Sequence, residues 1–307
     1  MLEYPVILLS IKSMIRILVQ ERTVTNFNLR DNQQETLLIK GSSETTCKET
    51  LFIFNKIFLD WFIGFTEGDG SFVIPNERLP QFEITQNIRD IDLLYKIKKI
   101  LGFGSVVKRL TDDRNVGVFQ VIGNKKHLFI LALIFNGNLR SKQKEIQFNK
   151  WYILLEKELS NKYIFPKYIS IIKDVSLKDS WLSGFSDAEG CFQARLKECK
   201  TSRLRKQLVL SFSLAQKTYD VLLNIKNCLQ LVNEVTFDKS WKGYRIFTQN
   251  FKKQKILMDY FKLFPLKTKK KIEFLRWYNL YNDKLNKLHL SENGLKIIEK
   301  KVKKFKV

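Results

Sequence analysis

The sequence predicts an α/β protein made of two similar halves. The first observation is a repeated segment, because WFIGFTEGDGSF at 61–72 returns as WLSGFSDAEGCF at 181–192. The second is that the helix and strand patterns that follow each copy occur in the same order. A repeat this long is one fold used twice, since the units of solenoid proteins are shorter.

Apolar spacing assigns the elements in order, with a period near 3.6 for helices and strict alternation for strands. The first half is predicted to contain helix 56–69, strands 71–74 and 81–86, helix 91–101, strands 104–110 and 116–122, and helices 127–135 and 144–159. The second half is predicted to contain helix 177–189, strands 191–198 and 206–214, helix 218–229, strands 234–240 and 243–249, and helices 252–263 and 269–287. Each half therefore runs αββαββαα.

These elements divide the chain into segments. The segments are an N-terminal extension at 1–54, the first half at 55–159, a linker at 160–176, the second half at 177–287 and a basic tail at 288–307. The extension is predicted to be poorly ordered, and its apolar start is too short and too charged for a membrane span. The tail is predicted to form a last helix that either contacts phosphates or packs against nothing.

Each copy of the repeated segment has the pattern of a helix with small residues four positions apart. Gly64 and Gly68 have this spacing in the first copy, and Gly184 and Ala188 in the second. Residues at i and i+4 share a face, so two such helices can bring their backbones unusually close. Glycine inside a helix costs about 1 kcal/mol relative to alanine, which indicates a packing requirement. We expect the two copies to pack together about a pseudo-two-fold axis.

An acidic pair recurs in both copies, as Glu67 and Asp69 and as Asp187 and Glu189. The second acid of each pair precedes a glycine, which suits a left-handed helix C-cap. A carboxylate in the last turn opposes the helix dipole, and parallel packing would also bring the two carboxylates together. A hard divalent cation would relieve both effects. One copy alone would indicate only a solvated amphipathic helix, but the duplication favours a metal site.

Both copies resemble the LAGLIDADG motif of homing endonucleases, as FIGFTEGDG (62–70) and LSGFSDAEG (182–190). The chain is similar to the double-motif, single-chain branch of that family over nearly all of 55–287. Phe62 and Ile63 are bulkier than the family's usual Leu-Ala. The resemblance implies two pseudo-symmetric αββαββα halves, with saddle-shaped antiparallel sheets over DNA and the motif helices between them.

The resemblance also implies the roles of particular residues. Asp69 and Glu189 would bind Mg²⁺ or Mn²⁺, helped by the backbone carbonyls of Gly68 and Ala188. In the family a glutamine on a following strand helps to position the water or metal, and its candidates here are Gln86 and Gln216, each of which taken alone could equally be a surface residue.

A basic cluster late in each half supplies candidate catalytic lysines, in LRSKQK (139–144) and LKTKKK (266–271). A lysine beside the attacked phosphate can stabilise developing charge. The candidates are Lys144 and Lys270, with Lys142 and Lys269 as neighbours, and a simple phosphate contact at a helix start is an equal alternative for each.

The charge balance favours a nucleic-acid partner. Lys plus Arg number 54 against 31 Asp plus Glu, which gives a net charge of +23. A/T-rich coding DNA would account for part of the lysine content, but the charged side chains must still lie on the surface of the folded protein. Two histidines without ligand spacing, and four cysteines with no CxxC pair, argue against a zinc site.

The strands are expected to form the recognition surface, because a twisted antiparallel ribbon fits the major groove of DNA. The candidates are Gln81, Glu83, Arg109, Arg114 and Gln120 in the first half, and Gln193, Arg195, Lys197, Arg203, Arg205, Lys239, Lys242 and Arg245 in the second. Each taken alone fits a phosphate contact better than a base contact.

By this resemblance the chain is expected to be a site-specific double-strand DNA endonuclease, encoded in a group I intron and active as a monomer. The A/T bias and the habits of the family suggest a mitochondrial location. An RNA-binding maturase that helps its own intron to splice is the alternative from another class. A transcription regulator is a third, and degraded motif acids, its expected sign, are not present.

Overall fold

A computed structural model describes residues 36–41, 50–76, 78–111 and 115–305, with side chains from residue 54 onward. The N-terminal extension contains β1 (Thr36–Gly41) and β2 (Thr50–Asn55). The first half contains α1 (Lys56–Asp69), β3 (Gly70–Val73), β4 (Gln81–Asn87), α2 (Ile91–Leu101), β5 (Ser105–Leu110), β6 (Asn115–Val121), α3 (Lys125–Phe135) and α4 (Lys142–Leu159). The second half contains α5 (Trp181–Glu189), β7 (Gly190–Glu198), β8 (Lys206–Gln216), α6 (Tyr219–Cys228), β9 (Thr236–Asp238), β10 (Gly243–Thr248), α7 (Phe251–Leu263), α8 (Lys270–Leu285) and α9 (Glu292–Phe305).

The two halves have the same topology in the described residues. One four-stranded antiparallel sheet has the strand order β3-β4-β6-β5, and the other has the equivalent order β7-β8-β10-β9. Helices follow the strands in the same sequence in both halves. The predicted two-half α/β architecture is therefore confirmed.

Alternation along the strands gives each sheet a buried and an open face. Phe82 and Ile84 of β4 are fully buried, while Glu83 between them lies on the other face. Phe192 and Ala194 of β7 are buried in the same way. The buried faces meet matching aromatic clusters under the helices. These clusters are Phe72, Phe82, Phe135, Phe148 and Trp151 in the first half, and Phe192, Phe212, Phe261, Phe274 and Trp277 in the second.

The two motif helices, α1 and α5, pack backbone to backbone between the sheets. A Cβ on Gly64 would lie 2.0 Å from the carbonyl oxygen of Trp181, and one on Gly184 would lie 1.9 Å from that of Trp61. Such distances leave no room for any side chain. The close approach predicted from the small residues is confirmed, and it explains why glycine is needed at both positions despite its cost in a helix.

The glycines after the motif acids do not form the left-handed caps that the sequence suggested. Gly70 has φ −86° and ψ 160°, and Gly190 has φ −75° and ψ 147°, so both are extended. The chain leaves each helix directly into a strand, β3 or β7. Glycine is required there for space, because a Cβ on Gly70 would lie 2.5 Å from Thr66 Cγ2, and one on Gly190 would lie 2.5 Å from the Ser186 oxygen.

Both ends of the chain differ from expectation where they are described. Strands β1 and β2 pair as an antiparallel ribbon within the supposedly irregular extension, while residues 1–35 and 42–49 lie outside the described residues. Helix α9 is present, but the prediction that it lies on phosphates or on nothing is wrong. Its apolar stripe, Leu295, Ile298 and Val302, is buried against the second half, and Lys301 Nζ lies 2.7 Å from Asp283 Oδ2 of α8.

The first helix of the second half begins later than predicted. Helix α5 starts at Trp181 rather than 177, because Asp179 and Ser176 bond to the backbone N–H groups two residues on and hold 176–180 in turns. Among the described helices, none is long and apolar enough to cross a membrane.

The interface predicts a specific pattern of loss and rescue. A Cβ on Gly68 would lie 2.2 Å from the Ala188 Cβ, so Gly68→Ala should destabilise the protein by about 1–3 kcal/mol. Adding Ala188→Gly removes the opposing methyl and keeps the glycine and alanine content of the two helices unchanged. The double variant should therefore recover most of the free energy of unfolding, measured by urea denaturation.

Gly64→Ala is the matched control, because its obstacle is the Trp181 backbone oxygen. It should cost about 3 kcal/mol or more, and Ala188→Gly should not rescue it. Equal rescue of both variants would contradict the packing described above.

Candidate functional site

The last acids of the two motifs lie together at the ends of α1 and α5. The Gln86 amide donates to Asp69 Oδ2 at 2.6 Å, and the Gln216 amide donates to Glu189 Oε1 at 3.0 Å. Burial raises the pKa of Asp69. Burial and the nearby charge of Asp69 raise the pKa of Glu189 to about 7. The two carboxylates therefore repel each other, and each is oriented by a glutamine from its own sheet.

The two expected lysines reach this point from α4 and α8. The ammonium of Lys144 donates to the carbonyl oxygen of Gly70, and Lys270 Nζ donates to that of Ala188 at 2.6 Å. Burial lowers the pKa of both lysines, and the charges of Asp69 and Glu189 oppose that shift at both.

Of the lysines in the two basic clusters, Lys144 and Lys270 are therefore the ones that approach the acids. Their neighbours make other contacts: the backbone N–H of Lys142 bonds to Asp220, and the ammonium of Lys269 lies near Asp90. The Ala188 carbonyl, expected to bind metal, accepts a hydrogen bond from Lys270 here. The ammonium provides positive charge to an oxygen at the end of the helix, where the dipole is negative.

The oxygen donors at this centre fit a hard divalent cation. Two carboxylates with raised pKa values repel each other, and a cation between them would relieve that repulsion. In the described part of the chain, no group of three or more His, Cys, Asp or Glu side chains is arranged to hold a metal. Mg²⁺ is commonly bound by one or two carboxylates together with substrate phosphates and water, so two carboxylates suffice for that kind of site.

The first acid of each motif has a different environment. Glu67 Oε1 accepts from the backbone N–H groups of Arg140 at 2.7 Å and Ser141 at 2.6 Å, and its other oxygen accepts from the indole of Trp181. Burial raises the pKa of Glu67 to about 7, while these three donors oppose the shift. This carboxylate is a structural group fully covered by protein.

Asp187 repeats this arrangement from the other half. Its Oδ2 accepts from the Trp61 indole at 2.8 Å and from the Lys267 N–H at 2.7 Å, and its Oδ1 accepts from the Thr268 N–H at 3.0 Å. Each acid thus binds the loop before the lysine-bearing helix of its own half and a tryptophan of the other half. The pair fixes the distance between motif and lysine on both sides.

The predicted recognition residues of the first half lie on the open face of their sheet. Arg109 Nη2 donates to Glu83 Oε1 at 3.0 Å and to Gln120 Oε1 at 3.3 Å, across three adjacent strands. Gln81 is on the same face of β4 as Glu83. Arg114 lies outside the described residues.

The recognition residues of the second half divide into strand and turn positions. Gln193, Arg195 and Lys197 project from the open face of β7, and Arg245 is exposed on β10. The others are exposed in turns at the ends of strands, namely Arg203, Arg205, Lys239 and Lys242. The structure therefore brings four of these residues onto the sheet surface and leaves the turn residues at its margins.

The sequence also matches known proteins, independently of this geometry. The family model described as LAGLIDADG endonuclease matches residues 62–155 and 182–281, which is more than half of the chain. The chain belongs to the LAGLIDADG endonuclease family. Both matched ranges begin within a motif helix, and they end within α4 and α8.

Several relatives of this LAGLIDADG chain carry intron-related names. It is 37% identical over 267 residues to the Neurospora crassa protein "Probable intron-encoded endonuclease 4", with 85% of this chain and 46% of the relative covered. It is 30% identical over 234 residues to the Saccharomyces cerevisiae "Intron-encoded RNA maturase bI4", with 73% of this chain and 33% of the relative covered. The chain spans less than half the length of both relatives.

Solved LAGLIDADG structures share the fold. The meganuclease I-AabMI bound to uncleaved DNA matches with a TM-score of 0.63 and 23% identity, covering 80% of this chain and 98% of that one. I-SmaMI bound to uncleaveable DNA matches with a TM-score of 0.63 and 21% identity, with the same coverage. At such identities the likeness establishes the fold alone.

The roles of Glu67 and Asp187 are not apparent from the sequence of this LAGLIDADG chain. The acids were visible as a recurring pair, but nothing local distinguishes the buried member from the one at the helix tip. The recurrence of Trp61 and Trp181 at the same offset was the available signal, since a buried indole N–H needs an acceptor.

Glu189 should give the protein a specific pH dependence. Its pKa is raised from 4.5 to about 7, first by burial and then by Asp69. Below 4.5 the carboxyl is protonated in the folded and unfolded states alike. As the pH rises towards 7 the unfolded chain loses this proton first, so the folded state becomes less favourable.

Glu189→Gln removes that ionisation. The free energy of unfolding of the variant minus that of the wild type should therefore increase between about pH 4.5 and about pH 7 and then level off. Urea denaturation across that pH range measures it. A difference that is constant or decreasing over the range would show that Glu189 does not carry a raised pKa.

Proposed function

We propose that this chain is a site-specific double-strand DNA endonuclease encoded in a group I intron. One observation carries the proposal: each half contributes a carboxylate, a glutamine and a lysine to a single point between two sheets with open polar faces. Two equivalent sets of groups suit a reaction carried out once on each strand of a duplex. The names of the relatives support the same reaction class.

The side chains at this point have distinct tasks in the reaction. Asp69 and Glu189 would hold divalent cations, Mg²⁺ or Mn²⁺, which would neutralise phosphate charge and help to activate water. Gln86 and Gln216 each donate to one carboxylate and so keep its free lone pairs available to the cation. No nucleophilic side chain paired with a base is needed, because the attacking group is water.

Lys144 and Lys270 stabilise the charge that develops on the phosphate. Each ammonium already contacts a backbone oxygen at the end of a motif helix, so it can turn to a phosphate oxygen with little movement. Burial favours this use, since an ammonium that is partly desolvated interacts more strongly with an anion.

The partner and location follow from the same proposal. The duplex lies along the open faces of the two sheets, where Arg109, Arg195, Lys197 and Arg245 supply positive charge. One chain carries both sets of catalytic groups, so it acts as a monomer. A mitochondrial location is supported by a relative named for a cox1 intron.

Replacing either motif carboxylate should abolish cutting. We expect Asp69→Asn and Glu189→Gln to lower the rate of Mg²⁺-dependent cleavage of the intronless exon junction by at least about 100-fold, because each removes a charged metal ligand. Binding of the same DNA in Ca²⁺, measured by gel shift, should remain. Asp259→Asn, at an exposed i,i+4 pair with Lys255, is the control and should cut like the wild type.

The same assay separates the proposed endonuclease from a maturase, the second candidate, which is favoured by the relative named as an RNA maturase. If the wild-type chain cuts no junction DNA yet accelerates splicing of its own intron RNA, the maturase replaces the endonuclease. Unchanged cutting by both carboxylate variants would refute the assignment of the catalytic centre.

The Arg109 network predicts a defined contribution to specificity. Its guanidinium lies on the open face, where Nη1 and Nη2 donate to Glu83 and Nη2 also donates to Gln120. The O6 and N7 atoms of a guanine edge would replace these acceptors in bidentate recognition. Arg109→Ala should reduce discrimination at one base pair by about 1–3 kcal/mol, measured by binding to a set of single-substitution sites. Lys239→Ala, in an exposed turn, should instead weaken all sites equally and reduce the salt slope by about 1. A uniform loss in Arg109→Ala would mean that Arg109 contacts only phosphate.

A further inference from the structure

The first residues of the two lysine-bearing helices, α4 and α8, each contact an acidic side chain of the other half. The backbone N–H of Lys142, the first residue of α4, donates to Asp220 Oδ2 of α6 at 2.9 Å. The Nζ of Lys269, the residue before α8, lies 3.6 Å from Asp90 Oδ1 at the start of α2. Both contacts lie at the start of a lysine-bearing helix, but Asp220 accepts from a backbone N–H whereas Asp90 pairs with a side-chain ammonium.

Asp220 supplies the acceptor for the first N–H of α4, directly after the Arg140 and Ser141 N–H groups that Glu67 binds. Ser141, which precedes the helix, makes no capping hydrogen bond with its side chain. A carboxylate here satisfies one of the free N–H groups of the first turn, and the helix dipole favours its negative charge. The start of α4, which belongs to the first half, is therefore held by Asp220 of the second half at its first N–H, in addition to Glu67 of its own half.

That turn carries Lys144, two residues after the bonded N–H. The ammonium of Lys144 must reach the point between Asp69 and Glu189, and its reach depends on where the turn begins. The contact in the other half is weaker: both contacts are exposed, but Asp220 bonds to a backbone N–H at 2.9 Å, while Asp90 lies 3.6 Å from the end of a flexible, 57% exposed lysine side chain. Exposed ion pairs contribute little, so Lys270 depends less on the opposite half.

We propose that Asp220 is a positioning residue through which the second half controls the lysine of the first half. Cutting of the strand served by Lys144 then requires Asp220, while cutting of the other strand does not. This inference rests on the proposed endonuclease function. Cleavage of one DNA strand then depends on contact between the two halves of the protein more than cleavage of the other strand does.

Strand-resolved cleavage tests the proposal. The substrate is the intronless exon junction, end-labelled on one strand or the other, and the same site in a supercoiled plasmid. Lys144→Ala identifies the strand that this lysine serves. Asp220→Ala should slow that strand by about 5-fold to 100-fold, the range expected when a catalytic group is slightly misplaced, and change the other by less than about 2-fold. Nicked circles should accumulate.

Two further variants sharpen the test. Asp220→Asn retains an oxygen that can accept from the Lys142 N–H, so it should stay within about 3-fold of the wild type on both strands. Asp90→Ala removes the acid that contacts the start of α8, and it should change both strands by less than about 2-fold. A smaller folded fraction slows both strands equally, so the ratio between strands is insensitive to partial unfolding, and Asp220→Ser serves if the alanine variant does not fold.

The possible failures are distinguishable. Equal slowing of both strands in Asp220→Ala, or an effect of Asp90→Ala as large as that of Asp220→Ala, overturns the inference and leaves the endonuclease intact. No cutting of any junction by the wild-type chain overturns the proposed function, and the inference with it.

Discussion

The direct contact between the backbones of α1 and α5 is the constraint on which the rest of the molecule depends. Glycine at 64 and 184 lets each helix rest on a carbonyl oxygen of the other, at distances that admit no side chain. Because the two helices are nearly in register, their C-terminal ends must coincide. The meeting of Asp69 and Glu189 is therefore a consequence of steric packing, and their mutual repulsion is a cost that the glycines impose.

The other buried charges serve to hold that packing in place. Glu67 and Asp187 cross the interface in opposite directions to reach Trp181 and Trp61. Each also accepts hydrogen bonds from backbone N–H groups of a loop 73–81 residues away in sequence. A buried carboxylate is tolerable only when such donors surround it. The same donors tie the start of α4 or α8 to a motif helix, so the lysines are placed by the interface as well.

Much of this could be predicted from the sequence because the repeat encodes it twice. The α/β halves follow from alternation in strands such as β4 and β7, and the tip acids follow from their place before Gly70 and Gly190. What could not be predicted depends on distant partners. The apolar stripe of α9 was visible, but the surface that buries it is formed by α8 and β7. The extended φ of Gly70 depends on the strand that follows, and a glycine after a helix fits either conformation.

The crossed tryptophan–carboxylate bonds have a consequence for how such a chain could be divided or recombined. Each half alone would expose an indole and a carboxylate whose hydrogen-bond partners lie on the opposite half. It would also expose the glycine surface against which the backbone of the other motif helix packs. Two halves made as separate polypeptides would therefore be expected to associate. A chimera built from halves of different relatives would fold only if both parent proteins had the two crossed tryptophan–carboxylate pairs. Otherwise a carboxylate would be buried without the indole N–H that binds it.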